Sequence, residues 1–239
     1  LACIVLVRHG QLTPSRADWL PAAMLFGYMV SFSFAYVSLS AGTGALILFG
    51  AVQATMIVWA VRSGERLTAL SWTGLGLAVI GLIWLVAPGL AAPDAVGAML
   101  MAASGIAWGV YTLLGRRQSE PVQRTTRNFL LATPLALAVS LVMAGTRDWN
   151  LSGVSLAAAS GGITSGLGYV VWYTAVPRLT ATQAATVQLT VPAIAAALGV
   201  LLLSETVTTR LVLASVAVLG GVGIVIAQRA ARADPTGSR

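Results

Sequence analysis

The stretch "RSGERLTALSW", Arg62 to Trp72, interrupts a long apolar sequence with charged and small polar residues. A similar interruption, "LLSETVTTRLV", returns at Leu202 to Val212, and Glu65 and Glu205 take equivalent places in the two stretches. Apolar segments long enough to cross a membrane flank each interruption. Each stretch therefore predicts a tight turn between two membrane-spanning helices, and its recurrence predicts a repeated module.

The composition is typical of a membrane protein. Hydrophobic residues make up 57% of the 239 residues and charged residues 9%, and the mean hydropathy is +0.86. A water-soluble domain is far less apolar. The alternating polarity of membrane-barrel strands is absent, which leaves helices as the spanning structure. We expect an all-α polytopic membrane protein. Its eight predicted spans are residues 19–40, 41–61, 68–87, 94–115, 128–145, 153–176, 180–203 and 208–228.

The beginning of the chain and its cysteine content limit other interpretations. The opening "LACIVLVRHG" is apolar for seven residues and has no basic region before them, so we interpret it as the end of a helix rather than a signal peptide. Without an initiator Met, the chain is expected to be N-terminally truncated. Cys3 is the single cysteine, which excludes an intrachain disulfide and a cysteine-based metal site.

The arginines predict how the chain is threaded. When the loops are assigned alternately to two sides, twelve of the fourteen basic residues fall on one side, and only Arg147 and Arg210 fall on the other. The positive-inside rule makes the arginine-rich side cytoplasmic. We therefore expect a plasma (inner) membrane protein with both visible ends in the cytoplasm. The stretch "RRQSEPVQRTTR", Arg116 to Arg127, is interpreted as a solvated cytoplasmic connector. Scattered arginines also predict no nucleic-acid partner, since nucleic acid requires a contiguous basic face.

The repeat has opposite orientations in its two copies. A shift of 140 residues superimposes at least seven identical residues and repeats the order of span, turn, span, Glu-bearing break and span. The arginine count assigns Glu65 to the cytoplasm and Glu205 to the outside, so the copies are inverted. Inverted repeats characterise many secondary transporters, in which the substrate lies near the midplane between the halves.

Three stretches carry a resemblance to a known family. They are residues 38–86, "SLSAGTGALILFGAVQATMIVWAVRSGERLTALSWTGLGLAVIGLIWLV", residues 179–227, "LTATQAATVQLTVPAIAAALGVLLLSETVTTRLVLASVAVLGGVGIVIA", and "GIAWGVYTLLGRR" at residues 105–117. They resemble EamA-type modules of the drug/metabolite transporter superfamily. The resemblance implies two inverted five-helix modules, with eight of the ten helices visible. It also implies a first module at residues 1–87, which lacks its first helix and most of its second, a second module at 94–228, and a cytoplasmic tail at 229–239.

The two glutamates of the repeated turn are interpreted as structural. Glu65 and Glu205 each follow one helix and precede the next, so their carboxylates are expected to face the positive end of the next helix dipole. A gating role is the alternative. Neighbouring hydroxyl side chains can cap exposed backbone N–H groups; they are Ser63, Thr68, Ser204 and Thr208.

Polar and aromatic residues within the spans are candidates for a substrate cavity. An amide in hydrocarbon is costly unless it meets a partner or a watery cavity, and aromatic rings line cavities as well as membrane interfaces. The candidates are Gln53, Trp108, Tyr111, Tyr169, Trp172, Gln188, Thr190 and Pro192. For the glutamines the alternative is hydrogen bonding between helices. For the aromatic residues it is a belt at the membrane interface, and for Pro192 it is a tolerated bend in the helix. Away from the span ends no Asp, Glu, Arg or His occurs, so carboxylate-based coupling has no candidate there.

Three glycine clusters predict close helix packing. They are "GIAWG" at residues 105–109, "GGITSGLG" at 161–168 and "GGVG" at 220–223. For the third cluster a homodimer contact is an open alternative. None of them follows a strand, so none is a nucleotide-binding loop.

Taken together, these features favour transport over catalysis. Intramembrane chemistry needs a poised acid, base, nucleophile or metal site, and the spans contain none, so we expect neither an enzyme nor a cofactor or metal. The predicted function is the export or exchange of small metabolites or drugs by alternating access, with a neutral or zwitterionic small-molecule substrate and membrane lipids as partners. A non-transporting scaffold or accessory subunit is the alternative.

Overall fold

Helices account for all regular structure in the residues that the computed structural model describes, which are 15–64, 67–87, 92–115, 121–146, 150–175, 188 and 190–233. The helices are α1 (Trp19–Ala35), α2 (Ala41–Arg62), α3 (Ala69–Val86), α4 (Ala95–Gly115), α5 (Pro121–Val142), α6 (Leu151–Ala159), α7 (Gly168–Ala175), α8 (Thr190–Leu203) and α9 (Thr209–Ala233). A π-helical segment, Ser160–Leu167, joins α6 to α7. Each predicted span contains one helix, with α6, the π segment and α7 together forming the sixth.

The surface of these helices is that of a protein dissolved in lipid. Within the described residues, four helical stretches are long and apolar enough to cross a membrane: α2, α4, Gln123–Val142 of α5 and Thr209–Gln228 of α9. Large apolar side chains are also exposed, for example Ile80 at 65% and Ile83 at 60% on α3. Such exposure is unfavourable in water but favourable against acyl chains. The prediction of an all-α polytopic membrane protein is confirmed.

The chain divides into two compact units. The smaller unit comprises Leu1–Phe26 and Tyr111–Thr180, and the larger comprises Gly27–Val110 and Ala181–Arg239. The boundaries fall inside α1 and α4. Because each unit takes helices from both predicted modules, the packing units do not follow the sequence modules.

In the larger unit, α3 and α9 form the most extensively packed helix pair. A Cβ built on Gly81 would lie 3.1 Å from Val218 Cγ2 and 3.2 Å from the Ala214 carbonyl oxygen. Gly221, Ala78 and Gly74 are the repeat equivalents of Gly81, Val218 and Ala214, and they contact each other in the corresponding way. A Cβ on Gly221 would lie 2.7 Å from Ala78 N and would press on the Gly74 carbonyl oxygen.

These contacts show that α3 and α9 run antiparallel, because early α3 residues meet late α9 residues and the reverse. The two helices are equivalent in the repeat. Equivalent helices that pack antiparallel through reciprocal contacts are related by a pseudo-two-fold axis, so the repeat is inverted as predicted.

Polar contacts link α3 to α9 at both ends of the pair. Arg210 Nη1 donates to the carbonyl oxygens of Leu85, at 3.4 Å, and of Ala87. A guanidinium at the last carbonyls of α3 also complements the negative end of its dipole. At the opposite end, Thr68 Oγ1 donates to Gln228 Oε1 at 3.4 Å. Both ends of the pair are therefore held in register.

Glycines of "GIAWG" bring α4 close to α2. A Cβ on Gly109 would lie 2.9 Å from Thr55 Cβ, and one on Gly105 would press on the Leu48 carbonyl oxygen. The prediction of close packing is confirmed for this cluster. Gly161 and Gly162 differ, since among the described residues nothing lies within 4 Å of a Cβ built on either. Their segment is π-helical rather than a close contact between helices.

The connector predicted at residues 116–127 is shorter than expected. Helix α5 already begins at Pro121, seven residues before the predicted span, and proline is favoured in a first helical turn because its missing N–H would have no intrahelical partner. Residues 121–127 are thus helical, and the interpretation of them as a solvated connector is wrong.

Candidate functional site

The two copies of the repeated turn share a left-handed residue and a threonine N-cap. Gly64, with φ +87°, and Ser204, with φ +54°, occupy equivalent positions and are left-handed. Thr68 and Thr208 then cap the following helices, since their Oγ1 atoms accept from Ser71 N at 3.0 Å and Leu211 N at 3.1 Å. The capping predictions are confirmed for these threonines. Ser63 instead ends α2 as its C-cap, and Ser204 is the left-handed residue.

Glu205 stabilises a helix other than the one that follows it. Its Oε1 accepts from Ala41 N, the first residue of α2, at 2.7 Å. The expectation that it faces the positive end of the next helix was therefore wrong about the helix, although the charge–dipole principle holds. Its Oε2 lies over Gly199, where any Cβ would collide with it. Glu65 lies outside the described residues, so its role stays a prediction.

A pocket of about 350 Å³ opens beside Glu205 in the larger unit. The turn between α1 and α2, the approach to α4 and the turn between α8 and α9 meet there. Its walls carry hydroxyl groups and one carboxylate over apolar side chains: Ser38, Leu39, Ser40, Thr43, Leu85, Ala92, Pro93, Glu205, Thr206, Thr208 and Leu211. Next to it, Asp94 Oδ2 accepts from Ser38 Oγ at 3.1 Å and from Gly97 N at 2.6 Å.

Gln53 and Trp108, two predicted cavity residues, lie in the larger unit on α2 and α4. Gln53 is 4% exposed, and its Nε2 has no hydrogen-bond partner among the described residues. Burial of an unsatisfied amide is costly, so Gln53 has a donor available for a ligand or water. The Trp108 ring lies 4.8 Å from the Tyr28 ring, centroid to centroid.

Tyr111 connects α4 to α5 in the smaller unit. It is 3% exposed, and its hydroxyl donates to Thr125 Oγ1 at 3.3 Å and accepts from Asn128 Nδ2 at 3.4 Å. The end of α4 is thus linked to the first turns of α5. Phe129, on the same part of α5, meets the Tyr169 ring of α7 edge-on at 5.3 Å.

The remaining cavity candidates lie on α7 and at α8. Trp172 and Gln188 are partly buried and Pro192 is buried. Pro192 falls in the first turn of the described α8, and the side chain of Thr190 lies outside the described residues. A cavity-lining role for these residues stays a prediction.

A buried carboxylate, Asp18, escaped the sequence analysis. It is 1% exposed, and it forms ion pairs with Arg124, Nε to Oδ1 at 3.8 Å, and Arg127, Nη1 to Oδ2 at 3.7 Å. Its Oδ2 also accepts from Ser15 N at 2.8 Å and Ser15 Oγ at 2.9 Å. The pattern "SRAD", a serine three residues before an acid, resembles a capping box and was the available signal.

Comparison with known proteins identifies the family. A model of the EamA-like transporter family matches residues 95–227, more than half of the chain, and this range corresponds to the second predicted module. The chain belongs to the EamA-like transporter family and is a multi-pass membrane transporter.

Individual relatives agree with this assignment. An uncharacterized protein of Pseudomonas aeruginosa is 47% identical over 238 residues, which cover 100% of this chain and 83% of that protein. An uncharacterized transporter of Archaeoglobus fulgidus is 28% identical over 90% of this chain and 81% of its own length. The threonine/homoserine exporter RhtA of Salmonella typhimurium is 31% identical over 147 residues, which cover 60% of this chain and 50% of the exporter.

A solved crystal structure shares the fold. It is 19% identical to this chain, with a TM-score of 0.64, and the match covers 94% of this chain and 81% of that one. At this identity the likeness concerns the fold alone.

Proposed function

We propose that this protein exports small zwitterionic metabolites of the amino-acid class across the plasma (inner) membrane by alternating access. The observation that carries the proposal is the inverted, reciprocal packing of α3 and α9 in a member of a transporter family. Inverted repeats provide two pseudo-equivalent arrangements around one central site, which is what alternating access needs. The similarity to a threonine/homoserine exporter supports the substrate class.

The chemistry of the described polar residues agrees with a zwitterionic solute. Hydroxyl groups and Glu205 line the pocket in the larger unit, and Gln53 holds a buried amide donor that has no partner among the residues the structure describes. These groups recognise ammonium and carboxylate functions better than apolar drugs. We infer transport without catalysis, with the solute and membrane lipids as partners.

The proposed orientation has both visible ends in the cytoplasm. It is supported by the arginine asymmetry of the loops. The pocket lining agrees with the grouping of these loops on one side of the membrane, because three loops assigned to the external side contribute to the same pocket through Ser40, Pro93 and Thr206.

Efflux from proteoliposomes tests the proposed function. The full-length protein is reconstituted into liposomes, which are then loaded with labelled L-threonine or L-homoserine. Efflux is compared with that from protein-free liposomes of the same lipid. We expect saturable efflux of both amino acids above the protein-free rate. A helical, monodisperse protein that moves neither of them would contradict the proposal and favour a scaffold or accessory subunit.

A further inference from the structure

The first turns of α5 form a charged site with Asp18 in the smaller unit. We propose that Asp18, Arg124, Arg127 and Asn128, here called the α5 head cluster, recognise the carboxylate and ammonium groups of an α-amino acid, with the solute carboxylate replacing Asp18 on the two arginines. The inference rests on the proposed function and assigns it a substrate-recognition site. By the arginine count this site faces the cytoplasm, where an exporter takes up its solute.

The two arginines are arranged to hold a carboxylate. Arg124 and Arg127 are three residues apart and therefore share a helix face. Their guanidinium groups reach the two different oxygens of the Asp18 carboxylate. They also lie in the first two turns of α5, whose positive dipole end favours an anion. Asp18 thus demonstrates that a carboxylate fits between them.

The present pairing leaves hydrogen-bonding capacity unused. Both ion-pair distances, 3.8 and 3.7 Å, exceed the usual hydrogen-bond length. Asp18 Oδ1 and Arg127 Nε find no hydrogen-bond partner within the described part of the chain. A solute carboxylate that approached to hydrogen-bonding distance would gain charge-assisted bonds that Asp18 does not make.

Asp18 does not depend on the arginines for its position. Its Oδ2 is held within its own turn by Ser15 N at 2.8 Å and Ser15 Oγ at 2.9 Å. The arginines are also the accessible side of the pair, since the side chains of Arg124 and Arg127 are 34% and 17% exposed against 1% for Asp18. A solute can therefore reach the guanidinium groups while the Asp18 turn stays folded.

The cluster also offers an acceptor for an ammonium group. Asn128 is 5% exposed, and its Oδ1 has no hydrogen-bond partner in the described ranges, while its Nδ2 is held by the Tyr111 hydroxyl at 3.4 Å. An ammonium carries three donors, so a solute with both charges satisfies an acceptor that a simple anion leaves unpaired.

Binding of two related probes to the purified full-length protein tests the site. The probes are L-threonine and L-threoninamide, which keeps the ammonium and lacks the carboxylate. We expect the wild type to bind the acid more tightly than the amide. Arg127→Gln should weaken acid binding about tenfold, the loss of one charge-assisted hydrogen bond, and leave amide binding unchanged.

Asp18→Asn separates competition from a purely structural ion pair. It removes the competing charge, and the asparagine oxygen can still accept from Ser15, so acid binding should become several-fold tighter. A structural pair predicts the reverse, a less stable protein with weaker binding. Arg62→Gln, at the exposed end of α2, is the matched control and should change neither affinity. Elution volume and melting temperature verify folding, and Arg127→Lys replaces Arg127→Gln if the latter does not fold.

Three results would overturn the inference: no L-threonine binding by the wild type, equal losses for acid and amide in Arg127→Gln, or weaker acid binding in a folded Asp18→Asn protein. Failure of the proposed function looks different. If the protein exports threonine but the variants keep the wild-type preference for the acid over the amide, the role of the α5 head cluster is refuted and the proposed function stands. If acid binding depends on Arg127 but no efflux occurs, export is refuted and the recognition site stands.

Discussion

A single left-handed residue ends the helix at each repeated turn. Gly64 and Ser204 are the two residues with positive φ within the described ranges, and they are equivalent in the repeat. Glycine adopts this conformation freely, whereas a side chain brings Cβ against the following carbonyl oxygen. The same turn is therefore built with a relaxed residue in one copy and a strained residue in the other.

Exchanging the two residues should change stability in opposite directions. Ser204→Gly should raise the free energy of unfolding by about 1 kcal/mol, and Gly64→Ser should lower it by a similar amount. No atom within the described residues would touch a Cβ at Gly64, so the loss of stability in Gly64→Ser comes from the backbone conformation alone. Melting temperatures of the detergent-solubilised variants check this, and shifts of the same sign would contradict it.

Glu205 acts on α2 through one charge-assisted hydrogen bond to Ala41 N. Glu205→Gln should destabilise the folded protein by about 1–2 kcal/mol, because it removes the charge that faces the positive end of α2. Membrane abundance should therefore fall more than transport per folded molecule. Gly199→Ala should act in the same direction by displacing the carboxylate.

Thr209→Ala, at an exposed position near Glu205 that does not line the pocket, is the control for Glu205→Gln. A variant with normal abundance and strongly reduced transport per molecule would point to the gating role instead.

At the scale of helices, glycine placement decides which elements can pack closely. Gly221 faces Gly74 and Ala78 on α3, while the described structure leaves open space beside Gly220 and Gly223. The cluster thus serves packing within the chain at Gly221. The homodimer contact stays a prediction, and it would have to use Gly220 and Gly223.

A methyl group at Gly221 should separate α3 from α9. Gly221→Ala should lower the free energy of unfolding by about 1–3 kcal/mol, as overpacking does in well-packed cores. Gly220→Ala, on the open side of the same helix, should be neutral or slightly stabilising because alanine favours helix. Thermal unfolding of the two variants side by side measures the difference, and equal melting temperatures would rule out the reciprocal contact.

At the scale of the whole molecule, inversion requires the two equivalent turns to emerge on opposite faces of the bilayer. Ser63 and Thr206 are exposed residues within these turns. In a Cys3→Ser background, a single cysteine is placed at Ser63 or at Thr206 and treated with a membrane-impermeant maleimide. One of the two positions should react in intact cells and the other in inverted membrane vesicles. Labelling of both positions from the same side would refute the inverted topology.

Much of the fold could be predicted because lipid imposes strong local rules. Span length and apolar composition located the helices, and Thr68 and Thr208 were recognisable as caps from their chemistry alone. The site was less predictable. Asp18 precedes its span by one residue and its partners Arg124 and Arg127 lie more than 100 residues later, so no local pattern joins them. Glu205 and Ala41 are even farther apart in the sequence, by 164 residues.

The amino-acid sequence by itself determined the lipid environment, the positions of the spans and the inverted order of the modules, because each follows from composition, period or repetition along the chain. The family resemblance came from specific motifs of the sequence. The tertiary structure alone decided which helix receives the Glu205 carboxylate, which glycine faces the partner helix and which arginines meet a buried acid. These pairings arise between segments distant in sequence, and they depend on the rotation and axial position of each helix against its neighbours, which hydropathy does not encode.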